Sequence, residues 1–113
     1  MTYQSAPGIP KNTPSFKSAN KIIETVAIYY NVCPFFRADT IKKRNRKREI
    51  VLARQTAMLL IRKQTPLSLK SIGELFGKDH TTVIHSIQTL KDLMSVDNQV
   101  AEDITFINNQ LNN

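Results

Sequence analysis

From Ser18 onward, apolar residues recur every three or four positions, which is the spacing of one face of an α-helix. No segment shows the strict apolar–polar alternation that is typical of a half-buried strand. The pattern predicts helices from Ser18 or Asn20, over residues 49–63 and after Asp97, and Pro34 can begin a short additional turn of helix. We therefore expect an all-α fold of five to six helices around one core.

Two further helical runs are separated by only three residues, Gly77-Lys78-Asp79. Ser68 can cap the first of these helices, and Gly77 can end it in the left-handed conformation that glycine adopts without strain. Asp79 or His80 can cap the second helix, which continues to about Met94. Two helices joined by a short, glycine-containing turn predict a central helix-turn-helix unit.

The length of 113 residues corresponds to one domain. Residues 1–17 are polar and contain three prolines, so we expect a flexible N-terminal arm followed by a helix-turn-helix domain over residues 18–113. No apolar run approaches the ~20 residues of a membrane span, and no secretory signal is visible. The single cysteine fits a reducing compartment. These features predict a cytoplasmic protein without a membrane partner.

The positive charge of the chain is concentrated in its middle. The formal net charge is +7, and residues 21–63 hold eleven basic residues against three acidic ones. Six of those basic residues lie within the seven positions 42–48. A concentrated block of positive charge suits a polyanion such as nucleic acid or an anionic membrane surface.

The motifs that characterise several classes of function are absent from this sequence. Three glycines at scattered positions cannot form a phosphate loop or a dinucleotide-binding turn. His80 and His85 are five residues apart, which is not the i, i+4 spacing of a helical metal site. No combination of acid, base and nucleophile is visible. We therefore expect no enzyme activity, no cofactor and no metal.

The second helix of a helix-turn-helix enters the major groove with its N-terminal residues against the base edges. In this chain those residues are Asp79, His80, Thr81 and Thr82. A carboxylate repels phosphates, so Asp79 caps the helix, accepts from a cytosine amino group, or does both. The residues alone are equally compatible with a polar helix start that has no role in binding.

The stretch LSLKSIGELFGKDHTTVIHS, residues 67–86, resembles the signature of the C-terminal DNA-binding domain of the bacterial replication initiator DnaA. The resemblance rests on Ile72-Gly73, Phe76-Gly77 and the DHTTV sequence that starts at Asp79. Upstream, Arg54-Gln55 matches the family's long helix, and the similarity extends over roughly residues 18 to 111. It implies a Trp-repressor-like helical domain.

The resemblance also implies that the chain binds asymmetric DnaA boxes in double-stranded DNA as a monomer, on the nucleoid, and regulates replication initiation or transcription. The host replication initiator would be a second candidate partner. The implied base-contacting residues are Arg46, Asp79, His80, Thr81 and Thr82. Lys70, at a position that contacts a base in many members, is expected to contact a guanine edge or a phosphate instead. The implied contacts to the DNA backbone are Lys43, Arg44, Lys47, Arg48, Arg54, Gln55, Ser68, Lys78 and His85.

Three departures from the family pattern bear on this interpretation. One glycine, Gly77, precedes the basic residue where the family usually has two, so the turn is shorter by a residue. Lys70 stands where many members have proline. No GxxxxGK[ST] motif occurs, so we expect a stand-alone DNA reader without the ATPase module. The alternative function is a helical protein-interaction module that has lost sequence-specific DNA reading.

Overall fold

The structure, a computed structural model, describes residues 14–31 and 48–112. Those residues form five helices and no strand, which confirms the all-α prediction. The helices are α1 (Pro14–Tyr30), α2 (Arg48–Gln64), α3 (Leu69–Phe76), α4 (His80–Val96) and α5 (Asn98–Leu111). The short helix predicted at Pro34 and the basic residues 42–47 lie outside the described residues. None of the five helices is long and apolar enough to cross a bilayer.

The first helix begins at Pro14, not at Ser18 or Asn20 as the sequence pattern predicted. Proline is tolerated in the first turn of a helix, where its missing N–H would have no partner. Phe16, placed in the predicted flexible arm, is buried in the core with only 7% of its surface exposed. Residues 14–17 therefore belong to α1, because Phe16 extends the apolar face of the helix by one turn.

Helix α2 is the centre of the packing. It contacts α1, α3 and α4, while α5 closes the bundle against α1 and α4. Six consecutive residues of α2, Thr56 to Ile61, are buried. The sequence predicted a single apolar stripe on this helix. The stripe is confirmed, but its flanks are also covered because helices pack on more than one side of α2.

A short extended segment turns the chain from α2 into α3. The Thr65 hydroxyl donates to the Ile61 carbonyl at 2.8 Å and accepts from the Leu67 backbone N–H at 3.3 Å. Pro66 cannot continue a helix, and Leu67 is fully buried behind it. Ser68 then caps α3 as predicted, since its hydroxyl oxygen accepts from the Ser71 backbone N–H at 3.0 Å.

The turn between α3 and α4 has the hydrogen bonds of a Schellman motif. The Lys78 N–H donates to the Gly73 carbonyl at 2.8 Å, and the Gly77 N–H donates to the Glu74 carbonyl at 3.3 Å. Gly77 has φ 68° and ψ 33°, the left-handed conformation predicted for it. These bonds satisfy the last carbonyls of α3 and bend the chain directly into α4.

Gly73 allows this turn to fold back onto α3. A Cβ atom built on Gly73 would lie closer to the Lys78 carbonyl oxygen than non-bonded atoms approach, and 3.3 Å from the Asp79 carbonyl carbon. Both neighbours are backbone atoms, which cannot rotate away as a flexible side chain could. The distance between α3 and the start of α4 therefore depends on the absence of a side chain at this position.

We predict that Gly73→Ala destabilises the fold more than Gly77→Ala. The Cβ of Gly77→Ala meets nothing within 4 Å, so that variant loses only the preference of glycine for the left-handed conformation, about 1–2 kcal/mol. Gly73→Ala must move backbone atoms apart, at a cost of up to about 3 kcal/mol. Urea unfolding of the two variants measures the difference. A Gly73→Ala variant as stable as the wild type would show that the close approach does not constrain the turn.

Candidate nucleic-acid interface

The N-terminus of α4 is capped by Asp79. Its carboxylate oxygen Oδ1 accepts from the Thr82 backbone N–H at 2.8 Å, and its own backbone is extended, with φ −83° and ψ 169°. That backbone hydrogen bond is the main reason that the pKa of the Asp79 carboxyl lies below its ordinary value. Of the roles that the sequence left open for Asp79, helix capping is therefore visible in the structure.

Helix α4 places its predicted DNA-contacting residues in solvent. Val83, Ile87 and Leu90 face the core at helical spacing. His80, Thr81, Thr82 and His85 are exposed, as is Ile84 between them. The first two turns of α4 therefore present a mostly polar surface whose orientation is set by buried residues on the opposite face.

Part of this polar surface lines an open groove of about 380 Å³ between α2 and α4. The groove brings together four of the residues predicted to contact DNA, Gln55 from α2 and Thr81, Thr82 and His85 from α4. Amide, hydroxyl and imidazole groups can donate to phosphate oxygens and to base edges alike. The arrangement therefore collects uncharged hydrogen-bonding groups on the accessible side of α4.

Sequence reasoning missed two residues of the groove, Ser86 and Thr89. Together with Thr82 they fall at i, i+4 and i+7, so they share one side of α4. The signal was present in the sequence as a polar stripe beside the apolar one. A polar stripe on a helix indicates a groove only when a neighbouring helix is known to lie along it, and the position of α2 cannot be read from the sequence.

The remaining predicted residues on α2, α3 and the turn have different surroundings. Arg54 is half-buried, and burial lowers the pKa of its guanidinium. Lys70 is exposed in the first turn of α3. The Ser68 hydroxyl, besides capping α3, donates to the Ser71 hydroxyl at 3.1 Å. Lys78 is partly exposed in the turn itself. Contacts of these residues with DNA stay predictions.

Arg48 lies away from the groove. Its guanidinium is 3.9 Å from the Asp97 carboxylate, just beyond the C-terminal end of α4. At 1.5 Å per residue, that end of the helix is about 25 Å from His80. The Arg48 side chain is 66% exposed and the Asp97 side chain 36%, so water screens this long ion pair and it adds little stability. Lys43, Arg44, Arg46 and Lys47 lie outside the described residues.

Comparison with known protein families identifies the helix-turn-helix. The family model described as "Bacterial dnaA protein helix-turn-helix" matches residues 19–90. The match spans most of α1, all of α2 and α3, and α4 as far as Leu90. This chain belongs to the DnaA helix-turn-helix family. The matched region contains every described residue of the groove, whereas α5 lies beyond it.

Individual DnaA proteins are also similar to this chain in sequence. The chain is 36% identical over 90 residues to the chromosomal replication initiator protein DnaA of Deinococcus radiodurans, covering 80% of this chain and 18% of that protein. It is 36% identical over 104 residues to the DnaA of Caldanaerobacter subterraneus, covering 92% and 23%. With the DnaA of Crocosphaera subtropica it shares 40% identity over 92 residues, covering 80% and 19%. The chain thus spans about a fifth of the length of these relatives.

We predict that Asp79→Ala lowers the thermal midpoint at pH 7 by a few degrees, whereas Asp79→Asn stays near the wild type. Asparagine accepts the same backbone hydrogen bond, and alanine has no acceptor. Because the carboxyl pKa is depressed in the folded protein, the charged cap stabilises the fold above the ordinary value of 3.8 and less as the pH falls below it. The gap between wild type and Asp79→Ala should therefore narrow in acid. Equal midpoints at pH 7 would contradict the capping role.

Proposed function

We propose that this chain binds double-stranded DNA with the N-terminal turns of α4 in the major groove. On this proposal it reads DnaA-box-like sites and thereby regulates replication initiation or transcription. The observation that supports it is the groove between α2 and α4, where Gln55, Thr81, Thr82 and His85 meet beside the start of the second helix of the helix-turn-helix. That is the part of the motif that meets base edges and adjacent phosphates.

The chemistry of the first turns of α4 suits this role. The threonine methyl groups can contact thymine methyls, while hydroxyl and imidazole groups hydrogen-bond to base edges or phosphates. The positive end of the helix dipole favours a phosphate near the same turn. Asp79 holds the backbone of that turn in place through Thr82, and this supports the presentation of His80 and Thr81.

We assign binding of the DNA phosphates to the basic residues that precede and begin α2. The first two turns of α4 contain no lysine or arginine, whereas residues 42–48 contain six. Contacts between these basic residues and phosphates would release counterions and make binding fall steeply with salt, as for a protein that neutralises ~4–6 phosphates. In this division, the basic residues provide affinity and α4 provides discrimination between sequences.

We place one copy of the chain on each site. Dimeric helix-turn-helix proteins read two half-sites one helical turn apart, and an asymmetric box offers only one. A protein that occupies such a box would compete with a replication initiator for it, which makes the initiator a rival for DNA.

The direct test compares binding of the full chain to a DnaA-box duplex and to a scrambled duplex of the same composition. Fluorescence anisotropy between about 50 and 200 mM salt would measure both affinities and their salt slopes. We expect tighter binding to the box at every salt concentration and a steep slope for both duplexes. Equal, weak binding to the two duplexes would overturn sequence-specific reading and favour the protein-interaction module.

The two histidines of α4 provide a matched pair of variants. We predict that His80→Ala costs on the order of 1–3 kcal/mol of box binding and relaxes the preference for the box, because we assign His80 to base contact. His85→Ala should weaken box and scrambled duplexes by the same factor, because His85 is assigned to the DNA backbone. Undiminished discrimination by His80→Ala would show that α4 is not docked as proposed.

A further inference from the structure

Ile84 is a large aliphatic residue in the first two turns of α4, one turn after His80. It is 48% exposed. His80 and Thr81, at positions i−4 and i−3, are exposed one turn before it on the same side of α4, and the exposed His85 follows it at i+1. An exposed aliphatic side chain keeps apolar surface in contact with water, and covering that surface with an apolar group of a ligand is favourable.

Ile84 lies outside the hydrophobic core of the fold. The core-facing residues of α4 are Val83, Ile87 and Leu90, and Ile84 is neither one of them nor among the partly buried residues that pack against the core. Val96, the other exposed large aliphatic residue of α4, is 81% exposed and lies three turns further along the helix. Of these two exposed aliphatic residues, only Ile84 would therefore meet DNA when the first turns of α4 lie in the major groove.

In the major groove, the apolar group that identifies a base pair is the 5-methyl group of thymine. Ile84 follows His80 by one turn, about 6 Å along the helix axis. Since base pairs are stacked about 3.4 Å apart, the two side chains reach base pairs that are one or two steps apart. An isoleucine at this place matches a thymine methyl in size and polarity, and it offers nothing to the exocyclic amino group of cytosine.

We propose that Ile84 is a specificity-determining residue that packs against the 5-methyl group of a thymine one or two base pairs from the one contacted by His80. This inference rests on the proposed function, because it requires α4 to lie in the major groove. It adds a fully aliphatic side chain to a site whose other residues all carry a hydrogen-bonding group.

The test combines a protein variant with a change of a single methyl group in the DNA. A duplex selected by the wild-type chain from a random pool is remade with each thymine replaced in turn by deoxyuridine, which lacks only the 5-methyl group. We expect the wild type to lose about threefold to fivefold in affinity at one thymine. Ile84→Ala should bind the selected duplex more weakly by a similar factor and lose nothing further at that thymine.

Val96→Ala is the matched control, since it shortens an exposed aliphatic side chain at the far end of the same helix. It should keep the wild-type sensitivity to every deoxyuridine. Ile84→Ala should keep the wild-type thermal midpoint, because Ile84 is outside the core.

The outcomes separate this inference from the function on which it rests. If the wild type prefers the selected duplex but no thymine is sensitive, or if Ile84→Ala responds to every deoxyuridine as the wild type does, the role of Ile84 is overturned and DNA reading stands. If the wild type binds selected and scrambled duplexes equally, the proposed function fails first.

Discussion

The orientation of α4 depends on how closely the preceding turn approaches α3. Gly73 has no side chain at the point where the Lys78 and Asp79 backbone crosses it, and the Lys78 N–H is bonded to the Gly73 carbonyl. Gly77 supplies the left-handed residue that the turn requires, and Asp79 starts the next helix at once. With three residues between the helices, the turn has little freedom to absorb a change, so the direction of α4 is largely determined by this contact.

The surface of α4 that this turn orients is formed by uncharged groups, whereas most of the positive charge of the chain lies in another segment. Val83, Ile87 and Leu90 anchor α4 to the core, and its first turns present hydroxyl, imidazole and aliphatic groups to solvent. Lysine and arginine attract any DNA sequence through the phosphates, whereas uncharged groups at fixed positions distinguish one base pair from another. The first two turns of α4 contain no lysine or arginine, whereas residues 42–48 contain six, so in the proposed complex the groups that attract DNA and the groups that read it belong to different segments of the chain.

Much of this architecture could be predicted from the sequence because local signals determine it. Ser68, Gly77, Asp79 and Asp97 all act as the caps that their residue types favour. Other features required tertiary information. Phe16 is part of α1 because α1 has a core to pack against, although its proline-rich neighbours suggested a flexible arm. Ser86 and Thr89 line the groove only because α2 lies beside them, and the need for Gly73 arises from the backbone of another segment.

The central claim is that the first turns of α4, with Gln55 of α2, form the surface that meets DNA. Titration of the ¹⁵N-labelled chain with a box duplex tests it most directly, because every backbone amide reports on its own surroundings. We predict that the largest shifts fall on Gln55 and on residues 80–86, while Glu102 and Asn109 on α5 stay nearly unchanged. Tyr29 of α1 and Phe106 of α5 are exposed on another part of the surface, with ring centroids 5.6 Å apart. Shifts centred on these two residues, with residues 80–86 unaffected, would contradict the account.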